Sequence, residues 1–133
     1  MTRKGREQII MQKQGDVAVV SLLSKRLVES ASIQAMYEEL QAIAKDNRTN
    51  KIVLNMDGVE YLSSAVLGKL ISLLKLVRKE KGDLRLCNIH PNVAEIFSVT
   101  QLDRVIGIDK GVKEAVSAID KRTLGRKRGW LPW

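Results

Sequence analysis

The chain has 133 residues, 44% apolar, 29% charged and 4% aromatic, which suits one globular domain with its own core and excludes a wholly disordered chain or a broad aromatic stacking platform. One cysteine, Cys87, and one histidine, His90, exclude an internal disulfide and a four-ligand structural zinc set and leave a histidine-based triad little footing. The formal net charge of +8 is carried by Arg3, Lys4 and Arg6 in residues 1–6 and by Lys121, Arg122, Arg126, Lys127 and Arg128 in residues 121–133, so residues 7–120 are neutral.

The expected organisation is therefore a domain over 7–120 between two solvated basic tails, 1–6 and 121–133, with no basic face on the domain to hold nucleic acid. Glu7 to Gln14 reads as a short extended segment turning at Gly15-Asp16. Val17 to Leu23 is a β-branched apolar run, the second arm of a hairpin. From Glu29 to Asp46 the period changes: Ile33, Met36, Tyr37, Leu40, Ile43 and Ala44 paint one helical face. Lys51 to Met56 is the next strand, and the segment from Asp57 leads into a helix running to about Lys81. In that helix Lys69, Ser72, Lys75 and Arg78 or Lys79 form a narrow polar stripe, and Gly82 is its expected stop. Leu84 to Cys87 is a strand, and Pro91 opens a helix carrying Val93, Ile96 and Phe97. Val105 to Ile108 is the final strand. Asp109 is placed as the cap of a last helix with Val112, Ala115, Val116 and Ile119 inside. Strand and helix alternate after one hairpin, which predicts an α/β fold: a mixed sheet of about five strands, partly parallel, with about four helices packed on it.

The most informative stretch is Lys51 to Gly68. A strand ends in Asn55-Met56-Asp57, Val59-Glu60-Tyr61-Leu62 forms a hydrophobic bridge with an aromatic, and Ser63-Ser64 precedes Leu67-Gly68 at the opening of a helix. Downstream come Leu84 to Asn88, Pro91 to Phe97, Leu102-Asp103 and Lys113 to Ala115 in order. This ordered set, spanning roughly Val17 to Ile119, resembles the STAS domain, the fold of bacterial anti-sigma factor antagonists and of the cytoplasmic ends of sulfate-type transporters. The resemblance implies a STAS-like mixed sheet and a protein-binding module in place of an enzyme. The implied partner is an anti-sigma factor of the serine/threonine kinase type, with no small-molecule substrate and no cofactor. The serine phosphorylated by that kinase aligns with Ser64. The implied contact surface is Ser63, Ser64, Asp57 and Gly58, with Ser24 and Lys25 of the neighbouring loop. Ser63 stands where many members have Asp, Ala65 where they have a second hydroxyl, and Val66 where Gly is usual. The loop Ser24 to Val28 also lacks the usual Gly-x-Leu-Asp.

Taken without the resemblance, Ser63 and Ser64 read as helix-capping residues, since serine is a preferred N-cap. A phosphate on Ser64 would meet the unpaired N–H groups and positive dipole end of the same helix. An unmodified scaffold or sensor module is the second functional reading. His90 reads as a turn residue before Pro91, and Cys87 as a core thiol. Asp57-Gly58 reads as a turn, and Asp57 with Glu60 define no acid–base pair. Trp130 and Trp133 read as an anchor or a free end. Ala65 to Val77, the most apolar stretch, is interrupted and too short to cross a bilayer, and no apolar leader opens the chain, so a cytoplasmic protein is expected.

Overall fold

The computed structural model describes residues 9–126, with side chains as far as residue 120. The expected tail residues 1–6, together with Trp130 and Trp133, lie outside that range. β1 (Ile9–Gln14) and β2 (Val17–Leu22) form the hairpin. Gln14 faces Val17 across a two-residue loop, and Gly15 takes φ +64°, the left-handed conformation such a turn requires. The described elements continue as β3 (Arg26–Leu27), α1 (Ala31–Lys45), β4 (Lys51–Asn55), β5 (Tyr61–Leu62), α2 (Ser64–Lys79), β6 (Asp83–Cys87) and α3 (Pro91–Val99). A 3-10 turn over Leu102–Arg104, β7 (Gly107–Asp109) and α4 (Val112–Arg126) complete them.

The five-stranded sheet runs β1-β2-β4-β6-β7, antiparallel at β1/β2 and parallel thereafter. Its central strands are apolar on both faces, as a sheet covered twice must be. Val20, Ile52, Leu54, Leu84 and Leu86 face α1, α2 and α3, whereas Val17, Val19, Val53 and Cys87 face Ala115 and Ile119 of α4. The alternation of Ile52, Val53 and Leu54 between those cores is the period of two that a strand imposes. α2 is the buried pillar of the larger core through Val66, Leu67, Leu70, Leu73, Leu74 and Val77.

Several details depart from expectation. Lys81, and not Gly82, takes the left-handed conformation after α2, at φ 68°. Gly82 is required for a different reason, because a Cβ there would overlap the Asn50 carbonyl. That contact belongs to a clamp in which Asn50 Nδ2 donates to the Glu80 carbonyl at 2.6 Å and Asp83 N donates to the Asn50 carbonyl at 3.2 Å. Arg78 is not on the polar stripe. It is 6% exposed and pairs with buried Asp83 at 3.2 Å, so the stripe ends at Lys75 and Lys79. Asp109 does not cap α4. It closes β7 and holds Arg85 in a bidentate pair at 2.6 and 3.2 Å, while the Gly111 carbonyl receives the first helical bond from Ala115 N. The last strand begins at Gly107 because Val105 and Ile106 are spent in the turn, their N–H groups bonded back to Leu102. α4 continues past residue 120 to Arg126. The two-residue strands β3 and β5 were not expected at all.

Candidate functional site

Three chain segments converge beside the carboxyl end of β2. The first leaves β4 through Asn55, whose Oδ1 accepts from Asp57 N at 3.2 Å, and turns with Val59 N donating to the Met56 carbonyl at 3.0 Å. Met56 and Val59 are fully buried, so the turn is pinned while its tip, Asp57 and Gly58, is exposed. Asn55 is itself tied to β2 by its amide on Ser21 Oγ at 3.4 Å and to the turn just after β6 by Asn88 Nδ2 on its Oδ1 at 2.9 Å. Gly58 packs loosely, since a Cβ there would meet only the Leu22 carbonyl at 4.0 Å.

The second segment is the loop after β2. Its Lys25 carbonyl accepts from Glu60 N at 2.8 Å and Tyr61 N at 3.2 Å, and its Leu27 carbonyl accepts from Ser63 N at 3.0 Å. These bonds create the small parallel sheet β3/β5, with Leu27 and Leu62 buried beneath it. On its outer side the Arg26 guanidinium lies over the Tyr61 ring, 4.5 Å from the centroid. Ser24 and Lys25 are thereby brought beside the residues that lead into Ser63 and Ser64.

The third segment is the start of α2. Ser63 is the N-cap in extended conformation, its Oγ accepting from Val66 N at 3.4 Å and its carbonyl from Leu67 N at 3.1 Å. Ser64, the first helical residue, is exposed, as are Ala65 and Gly68 on the same side. Val66 is 1% exposed and Leu67 8%, so the valine that replaces glycine points into the core and leaves Ser64 approachable. There is no acidic residue in the first turn of α2 to oppose an added negative charge. Lys69, one turn on, holds the neighbouring helix in place: its Nζ donates to Gln34 Oε1 at 2.8 Å, stands 3.7 Å from Glu29, and lies 5.0 Å from the Tyr37 ring centroid.

Three large apolar side chains are exposed on these same segments: Leu23 at 48%, Val28 at 39% and Tyr61 at 39%. The sequence placed Leu23 at the end of a strand run, Val28 in the neighbouring loop and Tyr61 in the hydrophobic bridge, but it carried no signal that these three side chains are exposed. Exposed apolar groups around a rigid polar centre suit contact with another protein. They give no chemistry for a reaction, and the described residues hold no group of three or more His, Cys, Asp and Glu side chains arranged for a metal ion.

His90 and Cys87 serve the fold. His90 caps α3, its Nδ1 accepting from Asn92 N at 3.1 Å with Pro91 at the first helical position. Cys87 is fully buried, and burial, with the charges of Asp109, Glu114 and Asp57, pushes its thiol up to about 11. Asp57 turns toward a shallow depression of about 520 Å³ at the carboxyl ends of β6 and β7, shared with Asn88, His90 and Lys110. No helix among the described residues is long and apolar enough to cross a membrane.

Comparison with known proteins agrees with this architecture. The family model of the STAS domain matches residues 8–115. BtrV of Bordetella bronchiseptica, named as an anti-sigma factor antagonist, is 30% identical over 100 residues, covering 75% of this chain and 84% of that protein. The structure of an anti-sigma-factor antagonist (STAS) domain protein from Planctomyces limnophilus superposes with a TM-score of 0.74 at 24% identity, covering 84% of this chain and 97% of that one. The Bacillus cell fate determinant SpoIIAA in its phosphorylated form superposes with a TM-score of 0.64 at 15% identity, covering 85% and 97%. Both likenesses are of fold.

Proposed function

The chain belongs to the STAS domain family, and from that membership we propose that it is an anti-sigma factor antagonist whose Ser64 surface captures a kinase-type anti-sigma factor and is switched off by phosphorylation of Ser64. The observation that carries this reading is the division of labour between the two serines. Ser63 is committed to capping α2, and Ser64, one residue on, is exposed on a backbone held rigid by the cap and by the β3/β5 ladder. The exposed Leu23, Val28 and Tyr61 supply apolar area around it. Lys25, Arg26, Asp57 and Gly58 complete the partner-facing rim.

In the transfer step the Ser64 Oγ attacks the γ-phosphorus of the ATP held by the partner kinase. The Oγ–P bond forms, the bond from the γ-phosphorus to the bridging oxygen breaks, ADP leaves, and the hydroxyl proton passes to a base on the kinase. The product carries about −1.5 to −2 additional charge at the amino end of α2, where the helix dipole and the first N–H groups tolerate it. The fold therefore survives modification. A partner surface packed on Leu23, Val28 and Tyr61 instead meets a hydrated dianion at its centre, and the complex dissociates.

The test is co-purification with the anti-sigma factor from the host, comparing wild type, Ser64→Ala and Ser64→Asp, with the modified residue located by mass spectrometry. Ser64→Ala should retain the anti-sigma factor and lose the phosphate. Ser64→Asp should bind at least tenfold more weakly with an unchanged melting temperature. Equal capture by Ser64→Asp and wild type would reject the switch and assign the chain to an unmodified scaffold role.

A further inference from the structure

The exposed tip of the contact rim, Asp57 and Gly58, is held from the far side of the sheet. Val53 faces α4, and Asn55, two residues further along β4, lies on that same face. Ser64 opens α2, whose side chains pack on the opposite face. Ser21 of β2, Asn55 of β4 and Cys87 of β6 stand in register at the carboxyl ends of three adjacent strands. There Asn55 uses both polar atoms of its side chain. Its Oδ1 accepts from Asp57 N at 3.2 Å and from Asn88 Nδ2 at 2.9 Å, and its Nδ2 donates to Ser21 Oγ at 3.4 Å. Asn88 reaches it from a left-handed backbone, φ 55°, a conformation asparagine tolerates better than most residues.

The ends of the turn need no help from Asn55. Met56 N donates to the Cys87 carbonyl at 3.0 Å, Val59 N donates to the Met56 carbonyl at 3.0 Å, and both side chains are fully buried. Between them, the acceptor of the Asp57 N–H among the described residues is the Asn55 side chain. A tip held by a side chain keeps its direction only while that side chain is fixed, and Ser21 and Asn88 fix it. We infer that Asn55, latched by Asn88, is a positioning residue for partner binding: it aims the Asp57–Gly58 tip, while Ser64 is held independently by the cap of α2. The inference rests on the reading of Ser64 and the Asp57 tip as one contact surface.

The test measures phosphorylation of Ser64 by the purified host anti-sigma factor with ATP, alongside amide hydrogen exchange of the free chain by NMR. Asn55→Ala should speed exchange of the Asp57 amide about tenfold and raise KM for the chain about tenfold, with kcat within about twofold of wild type. The Val66 amide, bonded to Ser63 Oγ, should be unchanged. Asn55→Asp keeps an oxygen for both donors and can accept from the Ser21 hydroxyl, so its KM should return to within about twofold of wild type. Asn88→Gly keeps the left-handed backbone and removes one tie. It should move KM and Asp57 exchange in the same direction by about threefold, and it serves where Asn55→Ala fails to fold. A residue that merely stabilised the fold would lower the melting temperature and leave KM and the Asp57 amide alone, and that result overturns the inference. So does a fall in kcat without a rise in KM, or an Asn55→Asp variant as weak as Asn55→Ala. A wild type that is not phosphorylated on Ser64 refutes the functional reading itself, and the inference falls with it.

Discussion

Gly68 lies within α2, one turn beyond Ser64, at an ordinary helical position where a Cβ would meet nothing within 4 Å. A glycine inside a helix costs about 0.8–1 kcal/mol relative to alanine, because it surrenders more backbone freedom on folding. With no clash to offset that gain, Gly68→Ala should raise the unfolding free energy by about 0.8–1 kcal/mol and the melting temperature by roughly 3–5 °C for a domain of this size. The same methyl stands on the proposed contact face beside Ser64 and Ala65, where a packed partner would have to accommodate it, a cost of about 1–3 kcal/mol or roughly 5- to 150-fold in affinity. Urea unfolding and calorimetric titration with the anti-sigma factor measure the two effects on one variant, and they should move in opposite directions. A destabilised Gly68→Ala would refute the open space around Gly68. A stabilised variant that binds as wild type would remove the exposed side of α2 from the interface.

Gly82→Ala should behave in the opposite way to Gly68→Ala. Its Cβ would overlap backbone atoms of Asn50, which cannot move without breaking the bonds Asn50 makes to Glu80 and Asp83. A loss of about 3 kcal/mol or more is expected in urea unfolding, and a loss below 1 kcal/mol would show that the clamp yields. Cys87 should resist a thiol reagent at pH 8 in the native protein and react at once in denaturant, since burial and nearby carboxylates hold its thiol up to about 11. The folded value lies above the unfolded value of about 8.5. The thiol's contribution to stability is therefore complete below pH 8.5 and is lost as pH rises through about 11. Cys87→Val should lack that alkaline component, seen as a smaller fall in urea midpoint between pH 8 and pH 10.5 than in wild type.

What was legible in the sequence follows from where the information resides. β2, β4, β6 and the four described helices announce themselves because each buries apolar residues in a core, so that an apolar run or a 3.6-residue period shows, whereas β1 and β7 bury none and show through the Gly15-Asp16 turn and the apolar run at Val105 to Ile108. Arg78 escaped because a helical stripe locates a charge by angle alone, and its reason for being buried, Asp83, lies beyond the turn at Glu80 to Gly82. Asp109 escaped similarly: an acid before a helix is a natural cap, but a guanidinium from the adjacent strand competes for it, and that neighbour is set by strand order. β3 and β5 have two residues each, too few to express any period. Yet this small ladder ties Lys25 to Glu60 and Tyr61 and Leu27 to Ser63, a join between distant segments that composition had no means to supply.

The same point explains why the surface tolerates its departures from the family pattern. The helix start is fixed mainly by backbone atoms: Ser63 N on the Leu27 carbonyl, Glu60 N and Tyr61 N on the Lys25 carbonyl, and Leu67 N on the Ser63 carbonyl. None of these bonds depends on which side chain occupies position 65 or 66. Serine in place of aspartate at 63 still offers an oxygen to Val66 N, so the cap survives the loss of a charge. Valine in place of glycine at 66 adds a buried side chain to the larger core, consistent with added packing, and leaves the outer face of the turn as it was. The substitutions thus change the charge and the packing of the site while the position of Ser64 is conserved by the backbone. The exposed side chains on the segments joined at that helix start, Leu23, Arg26, Val28 and Tyr61, are the ones a partner proposed to sit over Ser64 would meet.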